Sequence, residues 1–217
     1  MKPIYFDNNA TTCIAPEVRD AMMPFFNELY GNPSSMHMFG GQVAKHVQHA
    51  RERVAAFLNA DPTEIIFTSC GTESDNMAIH GTAELLGPQS KVITSRVEHP
   101  AVLGPCRRLK NMGHRAIELP VDTSGQIDLE ALRDALKDGT PAIVSLMWAN
   151  NETGVIQPLL EIAAIVKQAG GLLVVDAVQA AGRIPLDISA GCGDFLILSG
   201  HKIGGPKGVG AIVAGSD

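Results

Sequence analysis

From residue 64 onward, short apolar runs alternate with longer segments of helical period. The runs Ile65–Thr68, Lys91–Thr94, Ala116–Leu119, Ala142–Met147, Leu172–Val175, Phe195–Leu198 and Val209–Val213 have the length and β-branched content of strands. Between them, residues 73–86, 100–112, 128–137 and 158–169 predict helices. Strands that are apolar throughout are covered on both faces. The pattern therefore predicts an α/β fold with a mostly parallel seven-stranded sheet flanked by helices. Asp128 is placed to cap the helix of Leu129-Glu130-Ala131-Leu132, and Gly170-Gly171 to end the one before Leu172. Ahead of this block, residues 1–15 read as extended and polar. A helix follows from Pro16, and Pro24 interrupts it. Gly31-Asn32-Pro33-Ser34-Ser35 is a loop. Val43, Val47, Ala50, Val54 and Phe57 then recur at three or four residues, which predicts an amphipathic helix. No repeat, low-complexity tract or linker divides the sequence.

Composition narrows the classes of function. A chain of 217 residues can bury one full core, and 45% hydrophobic with 18% charged residues fits a globular interior. A net charge of −6 argues against a nucleic-acid surface. Arg107, Arg108 and Lys110 form one basic knot, read as the solvated face of a helix. Cys13, Cys70, Cys106 and Cys192 form no CxxC pair, so neither a metal site nor a disulfide framework follows, and a reducing cytoplasm is expected. Lys2 and Asp7 bring charge too early for a signal peptide, and no apolar run approaches the ~20 residues of a membrane span.

In such a sheet, ligands bind beyond the carboxyl ends of the strands, so the residues just after each run carry the chemistry. Ser69-Cys70-Gly71-Thr72-Glu73-Ser74 opens a helix. Its free N–H groups suit a phosphate, while the plainer reading is Thr72 as an N-cap. His99, held out of a helix by Pro100, is either a flat partner for an aromatic ring or a surface histidine. Asn150-Asn151-Glu152-Thr153-Gly154 is either a turn or an amide site for an oxygen anion. Asp176 ends an apolar run, where a carboxylate needs a partner. A protonated ring nitrogen would serve, Gln179 can face the same way, and the alternative is a helix cap. Lys202 lies in Ser199-Gly200-His201-Lys202-Ile203-Gly204-Gly205-Pro206-Lys207-Gly208, between two runs. It is either an imine-forming nucleophile or a solvated hairpin lysine. Pyridoxal phosphate asks for this whole set: an amine for its aldehyde, an acid for its ring nitrogen, a helix N-terminus for its phosphate.

With these blocks in view, the chain resembles the cysteine desulfurases of the NifS/IscS type, in the class-V branch of the fold-type I pyridoxal-phosphate-dependent transferases. The matching stretches are Tyr5 through Thr12, Gly31 through Ser35 with His37, Phe67 through Asp75, Glu98 through Val102, Asn150 through Gly154, Asp176 through Gln179, and Ser199 through Gly208. The blocks Phe67–Asp75 and Met147–Gly154 look closest to the nitrogen-fixation branch.

The resemblance implies a role for each matched residue. Lys202 would hold the cofactor and move the substrate's α-proton, and Asp176 would pair with the ring nitrogen. Gln179 and Asn151 would reach the phenolic oxygen, with Asn151 also near the substrate, and His99 would stack on the ring and act in catalysis by moving protons. Gly71, Thr72, Ser199 and His201 would bind phosphate. L-cysteine would yield L-alanine and an enzyme persulfide, with its sulfur passed to an iron–sulfur scaffold or another acceptor.

The resemblance also implies that residues 1–15 belong to a small domain and 16–217 to the large one. It places the rest of the small domain, the nucleophilic cysteine and a carboxylate-binding arginine beyond residue 217. A phosphate contact would come from the second chain of a homodimer. None of the four cysteines matches the nucleophile. Two other readings stand beside this one: a selenocysteine lyase or other class-V aminotransferase, and a truncated, inactive cofactor-binding domain.

Overall fold

The computed structural model describes residues 3–215. One seven-stranded sheet runs through it, with strands β1 (Ile65–Thr68), β2 (Lys91–Ser95), β3 (Arg115–Leu119), β4 (Ala142–Met147), β5 (Leu172–Asp176), β6 (Phe195–Ser199) and β7 (Gly210–Ala214). The order across the sheet is β1-β7-β6-β5-β4-β2-β3. The pairs β6/β5, β5/β4, β4/β2 and β2/β3 are parallel, while β7 is antiparallel to both neighbours. Only β7 is therefore reversed, and the other six strands end at one common edge. The reversal has a local cause: β6 returns directly into β7 through ten residues, too few for a crossover.

Alternation along the strands divides the interior into two layers. Val92, Ile143, Val174, Ile197 and Ile212 pack under α4 (Gly71–Leu86) and α5 (Pro100–Asn111). Ile93, Val144, Leu173, Val175 and Leu196 face α6 (Leu129–Leu136), α7 (Leu159–Gln168) and the end of α3 (Met38–Leu58). β4 is buried at all six positions, which is why it reads as an unbroken apolar run. Lys91, at the start of β2, is fully buried; its Nζ donates to Asp138 Oδ1 and to the Ala135 carbonyl, both at 2.5 Å.

The expected element boundaries hold at most ends. Asp128 Oδ1 accepts from the N–H groups of Glu130 and Ala131, as a cap should. Gly170 takes φ +68° just past α7. Pro24 splits the first helical stretch into α1 (Pro16–Met22) and α2 (Pro24–Asn27). Two expectations need correction. The fourth helix begins at Gly71 rather than 73, for reasons given below. The stripe on α3 is also not a buried face: Val47, Ala50 and Phe57 are exposed, and Gly40, Val43, Ala55 and Leu58 are the buried positions. Among the described residues, the last turns of α3 reach the core below β1, its first turns pack on the loop before it, with Gly40 against Asn32 and Ser35 and Phe39 against Tyr30, and residues 45–50 between them are exposed.

Candidate active site

The common edge of the six parallel strands opens on a cavity of about 620 Å³. All nine residues singled out in the sequence line it: Gly71, Thr72, His99, Asn151, Asp176, Gln179, Ser199, His201 and Lys202. They come from four strand-end loops and the hairpin loop, so the sheet itself brings them together. Lining residues that local sequence reasoning did not single out are Asp7, Asn9, Ala10, Cys70, Asp75 and Glu152.

The β1–α4 turn is built by Cys70, not Thr72. The Glu73 N–H donates to Cys70 Sγ at 3.4 Å, and the Glu73 carboxylate accepts from the Ser69 N–H and hydroxyl, both at 2.6 Å. Sulfur is thus the cap acceptor, and the Glu73 carboxylate returns to Ser69, one residue before the cap, rather than to Cys70 itself; an expectation of Ser, Thr, Asp or Asn at the cap therefore places the start too late. Thr72 is thereby freed from capping. The N–H groups of Gly71 and Thr72 lie in the first turn, where a helix has no acceptor of its own. The site is tight here. A side chain on Gly210 of β7 would meet the Cys70 backbone at 2.7 Å, so only glycine lets this strand pass.

Beyond β2 the chain is tied down by a buried acid. Glu98 Oε1 accepts from the Ser95 hydroxyl at 2.6 Å, and Oε2 from the Met147 N–H at 2.8 Å. Burial pushes the Glu98 carboxyl up to about 8, helped by the nearby Asp176 charge, while the two hydrogen bonds pull the other way. His99 follows at once. Its Nδ1 accepts from the Ala101 N–H at 3.1 Å, so the ring caps α5 while lining the cavity, and in the neutral form its proton sits on Nε2. Beyond β4 the two asparagines divide the work. Asn150 is buried and shapes the turn: its Oδ1 accepts from the Glu152 and Thr153 N–H groups, and its Nδ2 donates to the Val97 carbonyl. Asn151 reaches the cavity, with Nδ2 donating to Glu152 Oε1 at 2.5 Å.

Asp176 closes β5 and is buried. Its Oδ1 accepts from the Val178 N–H at 2.9 Å, so it caps a turn; residues 178–183 form turns and no helix. Burial raises its carboxyl, and the Val178 bond and the charges of His99 and Lys202 oppose that rise. Lys202 follows β6. Its Nζ donates to the carbonyls of Asn9 at 2.5 Å and Ala10 at 3.0 Å. Burial, with repulsion from Arg183, holds its amine below the usual lysine range, against the pull of Asp176, Asp7 and Glu152. His201 is lowered by burial and by Lys202 and Lys207, and its Nδ1 lies 3.1 Å from the Thr11 hydroxyl. Ser199 Oγ is buried in the cavity wall without a hydrogen-bond partner.

Residues 7–15 lie across this loop rather than apart from it. Thr12 donates from its N–H and its hydroxyl to the His201 carbonyl, both at 2.9 Å, and its hydroxyl oxygen accepts from the Gly204 N–H. The Gln179 amide donates to the Asn9 carbonyl at 2.8 Å, and the Asn9 amide to the Asn151 carbonyl at 3.2 Å. The cavity thus combines unpaired helix-end donors, a buried carboxyl, an imidazole and a primary amine of lowered basicity. Such a set can hold a flat, anionic, electrophilic ligand. Among the described residues, no cluster of three or more His, Cys, Asp or Glu side chains could hold a metal ion, and no helix is long and apolar enough to cross a membrane.

The chain is similar to known proteins along nearly its whole length. A cysteine desulfurase of a Nostoc species is 52% identical over 98% of this chain and 53% of its own length. The cysteine desulfurase NifS of Azotobacter vinelandii is 47% identical over the same shares. The chain spans about half the length of the curated relatives it matches. Among solved structures, a NifS-like protein superposes with a TM-score of 0.93 at 40% identity, over 98% of this chain and 59% of its own. SspA in complex with cysteine superposes with a TM-score of 0.93 at 34% identity, over 98% and 61%. The type I transferase architecture expected from the resemblance is the one the chain adopts. The description of aminotransferase class V matches residues 4–217, and the chain belongs to that family.

Proposed function

We propose that the chain is the large, cofactor-binding domain of a pyridoxal-phosphate-dependent cysteine desulfurase, converting L-cysteine to L-alanine and passing the sulfur on as a persulfide. One observation carries this reading. Lys202, Asp176 and the open N-terminus of α4 converge on one cavity, the three places where an aldehyde, a ring nitrogen and a phosphate must be met. The residues fit that group on two further points. Ser199 Oγ is a buried hydroxyl lacking a partner, and Asp176 is a buried carboxyl whose Oδ1 meets only a backbone N–H. The relatives that cover the chain are named cysteine desulfurases, and one structural neighbour holds cysteine, which supports the substrate.

Bound pyridoxal phosphate would supply an electron sink for the charge that develops at the substrate's α-carbon. The chain's own residues supply the rest. Gly71, Thr72, Ser199 and His201 hold the phosphate at the positive end of α4. Asp176 keeps a proton on the ring nitrogen, since a buried carboxylate is stabilised by an adjacent cation. Gln179 and Asn151 orient the phenolic oxygen, and His99 covers the ring. Lys202 would anchor the aldehyde and, once the substrate's amino group had taken its place, its lowered basicity would leave a neutral amine to take the substrate's α-proton.

The thiol that receives the sulfur is not one of the four here. Cys106 and Cys192 are buried, Cys70 is committed to capping α4, and Cys13 is not among the cavity-lining residues. We place the nucleophile in the half of the relatives that lies outside the matched region. Residues 1–15 would join that half as part of a small domain. Two copies would pair through the apolar surface left open on α2 and α3, where Phe26, Met38 and Phe57 are exposed. An iron–sulfur scaffold as acceptor, within nitrogen fixation, extends the names of the relatives. Four free thiols suit a cytoplasmic setting.

The test is attachment. Borohydride treatment after adding pyridoxal phosphate should fix the cofactor to the Lys202 peptide, and Lys202→Ala should abolish the adduct. Equal labelling of Lys202→Ala, or labelling at another lysine alone, would refute the assignment. L-alanine and sulfide formation from L-cysteine by the whole protein tests the reaction.

A further inference from the structure

α4 turns one face toward the sheet, with Gly71, Asp75, Ala78, Ile79 and Thr82 at helical spacing, and Asp75 is the charged residue on it. Asp75 is 1% exposed, lines the same cavity as Lys202, and its Oδ1 has no hydrogen-bond partner. Strand alternation sets Asp176 on this face, two positions along β5 from Val174, which packs under α4 and α5. The groups that face Asp75 are Asp176 of β5, Glu98 of the β2–α5 loop, Cys70 ahead of α4 and Cys106 of α5. Every one of them is an acid or a thiol.

Asp176 is differently placed. It accepts the Val178 N–H and lies within reach of the His99 and Lys202 charges. Glu98 already has hydrogen bonds on both oxygens. Neighbouring carboxylates in a dry floor repel strongly, so they do not all ionise. Protons go first to the carboxyl with least support for its charge, and that is Asp75.

We propose that Asp75 is a positioning residue that stays protonated at neutral pH, so that the negative charge of the cavity floor rests on Asp176. Burial and repulsion from Asp176 and Glu98 push the Asp75 carboxyl well above the usual carboxylate range, in line with this placement. An ionised Asp75 would draw the proton onto Asp176 instead and leave the ring nitrogen of the proposed cofactor facing a neutral acid. That consequence rests on the cofactor reading; the protonation itself does not.

Carbon-13 resonances of aspartate side-chain carboxyls, followed against pH in the cofactor-free protein, test the proposal directly. One aspartate should remain protonated at neutral pH. Its signal should vanish in Asp75→Asn, while the Asp176 midpoint stays in place in the same variant, because the amide replaces a carboxyl that is already neutral when Asp176 ionises. Asp75→Glu keeps the acid and removes the label, which assigns the signal should the asparagine variant not fold. An acidward shift of the Asp176 midpoint in Asp75→Asn would mean that Asp75 is charged while Asp176 titrates, and that result overturns the proposal. So does a wild-type titration in which every aspartate is ionised at neutral pH. Because no cofactor is present, failure of pyridoxal phosphate to attach to Lys202 would refute the function above without touching this result.

Discussion

Replacing Glu98 with glutamine should change the stability of the protein in a strongly pH-dependent way. In the fold, Glu98 is buried, with Ser95 Oγ and the Met147 N–H on its two oxygens. Its carboxyl is raised from 4.5 to about 8, so between those values the folded state holds a proton that the unfolded state has released. Stability from this group is therefore complete below pH 4.5 and is lost as pH climbs through about 8. At about 1.4 kcal/mol per pH unit, the interval is worth about 5 kcal/mol. Glutamine copies the protonated acid: its amide can donate to Ser95 and its carbonyl accept from Met147. The variant should match the wild type near pH 5 and exceed it by several kcal/mol near pH 8. Urea unfolding followed by circular dichroism at successive pH values measures this. Stability curves that run parallel across the range would refute the reasoning, because they would mean that Glu98 is ionised in the fold. Glu98→Ala also removes the pH-dependent contribution but should lie about 1–3 kcal/mol below the glutamine variant at every pH, by leaving the buried Met147 N–H without an acceptor.

Other consequences follow from buried polar groups. Asp138 is held below the usual carboxylate range by its hydrogen bond from buried Lys91 and by the Thr140 N–H. It therefore stabilises the fold above its ordinary value of 3.8 and ceases to do so as pH falls through its folded value. Asp138→Asn should be the less stable protein at neutral pH, with the gap closing in acid, as thermal melts at several pH values would show. Gln157 is buried, accepting from the Ile127 N–H at 3.0 Å and donating to the Gly125 carbonyl at 2.9 Å. Gln157→Leu should cost about 2–3 kcal/mol in urea titrations, since a buried N–H and a carbonyl lose their partners. Iodoacetamide should label exposed Cys13 first and buried Cys106 last. Burial pushes the Cys106 thiol up to about 12, and peptide mapping over time would give the order.

Much of the sheet and most of the site were legible because both are written locally. An apolar run such as Ala142–Met147 announces a doubly covered strand. In a parallel sheet the next few residues must lie at the ligand edge, which is how Asp176 and Lys202 could be singled out. What escaped was of three physical kinds. Cys70 caps α4 with sulfur, an acceptor outside the usual cap residues, so Thr72 was offered that role. Asp75 and Glu98 sit on buried faces where an acid reads as solvated unless its surroundings are known. The helical spacing Gly71-Asp75-Ala78-Ile79-Thr82 carries the signal that Asp75 faces inward. The α3 stripe failed for the opposite reason: its periodicity is real, but the helix is buried near its two ends and residues 45–50 between them are exposed. The contacts of Asn9 and Thr12 with the Lys202 loop join residues more than 180 positions apart, beyond any local pattern.

Those last contacts bear on how the protein is made. Thr12 leaves the ribosome early, and its partner His201 follows 189 residues later. At 5–20 residues per second the wait is roughly 10–40 s. Throughout it the carbonyls of Asn9 and Ala10 have no lysine to receive, and the β6–β7 hairpin loop is not yet synthesised. Among the described residues, Ile4, Tyr5 and Phe6 remain exposed even after folding, so this leading stretch is a natural target for a chaperone during synthesis. The cavity is closed by residues 9–12 folding back onto a loop made about 190 residues later, and a chain cut short before residue 200 lacks both that loop and β7, the strand that joins β1 to the sheet.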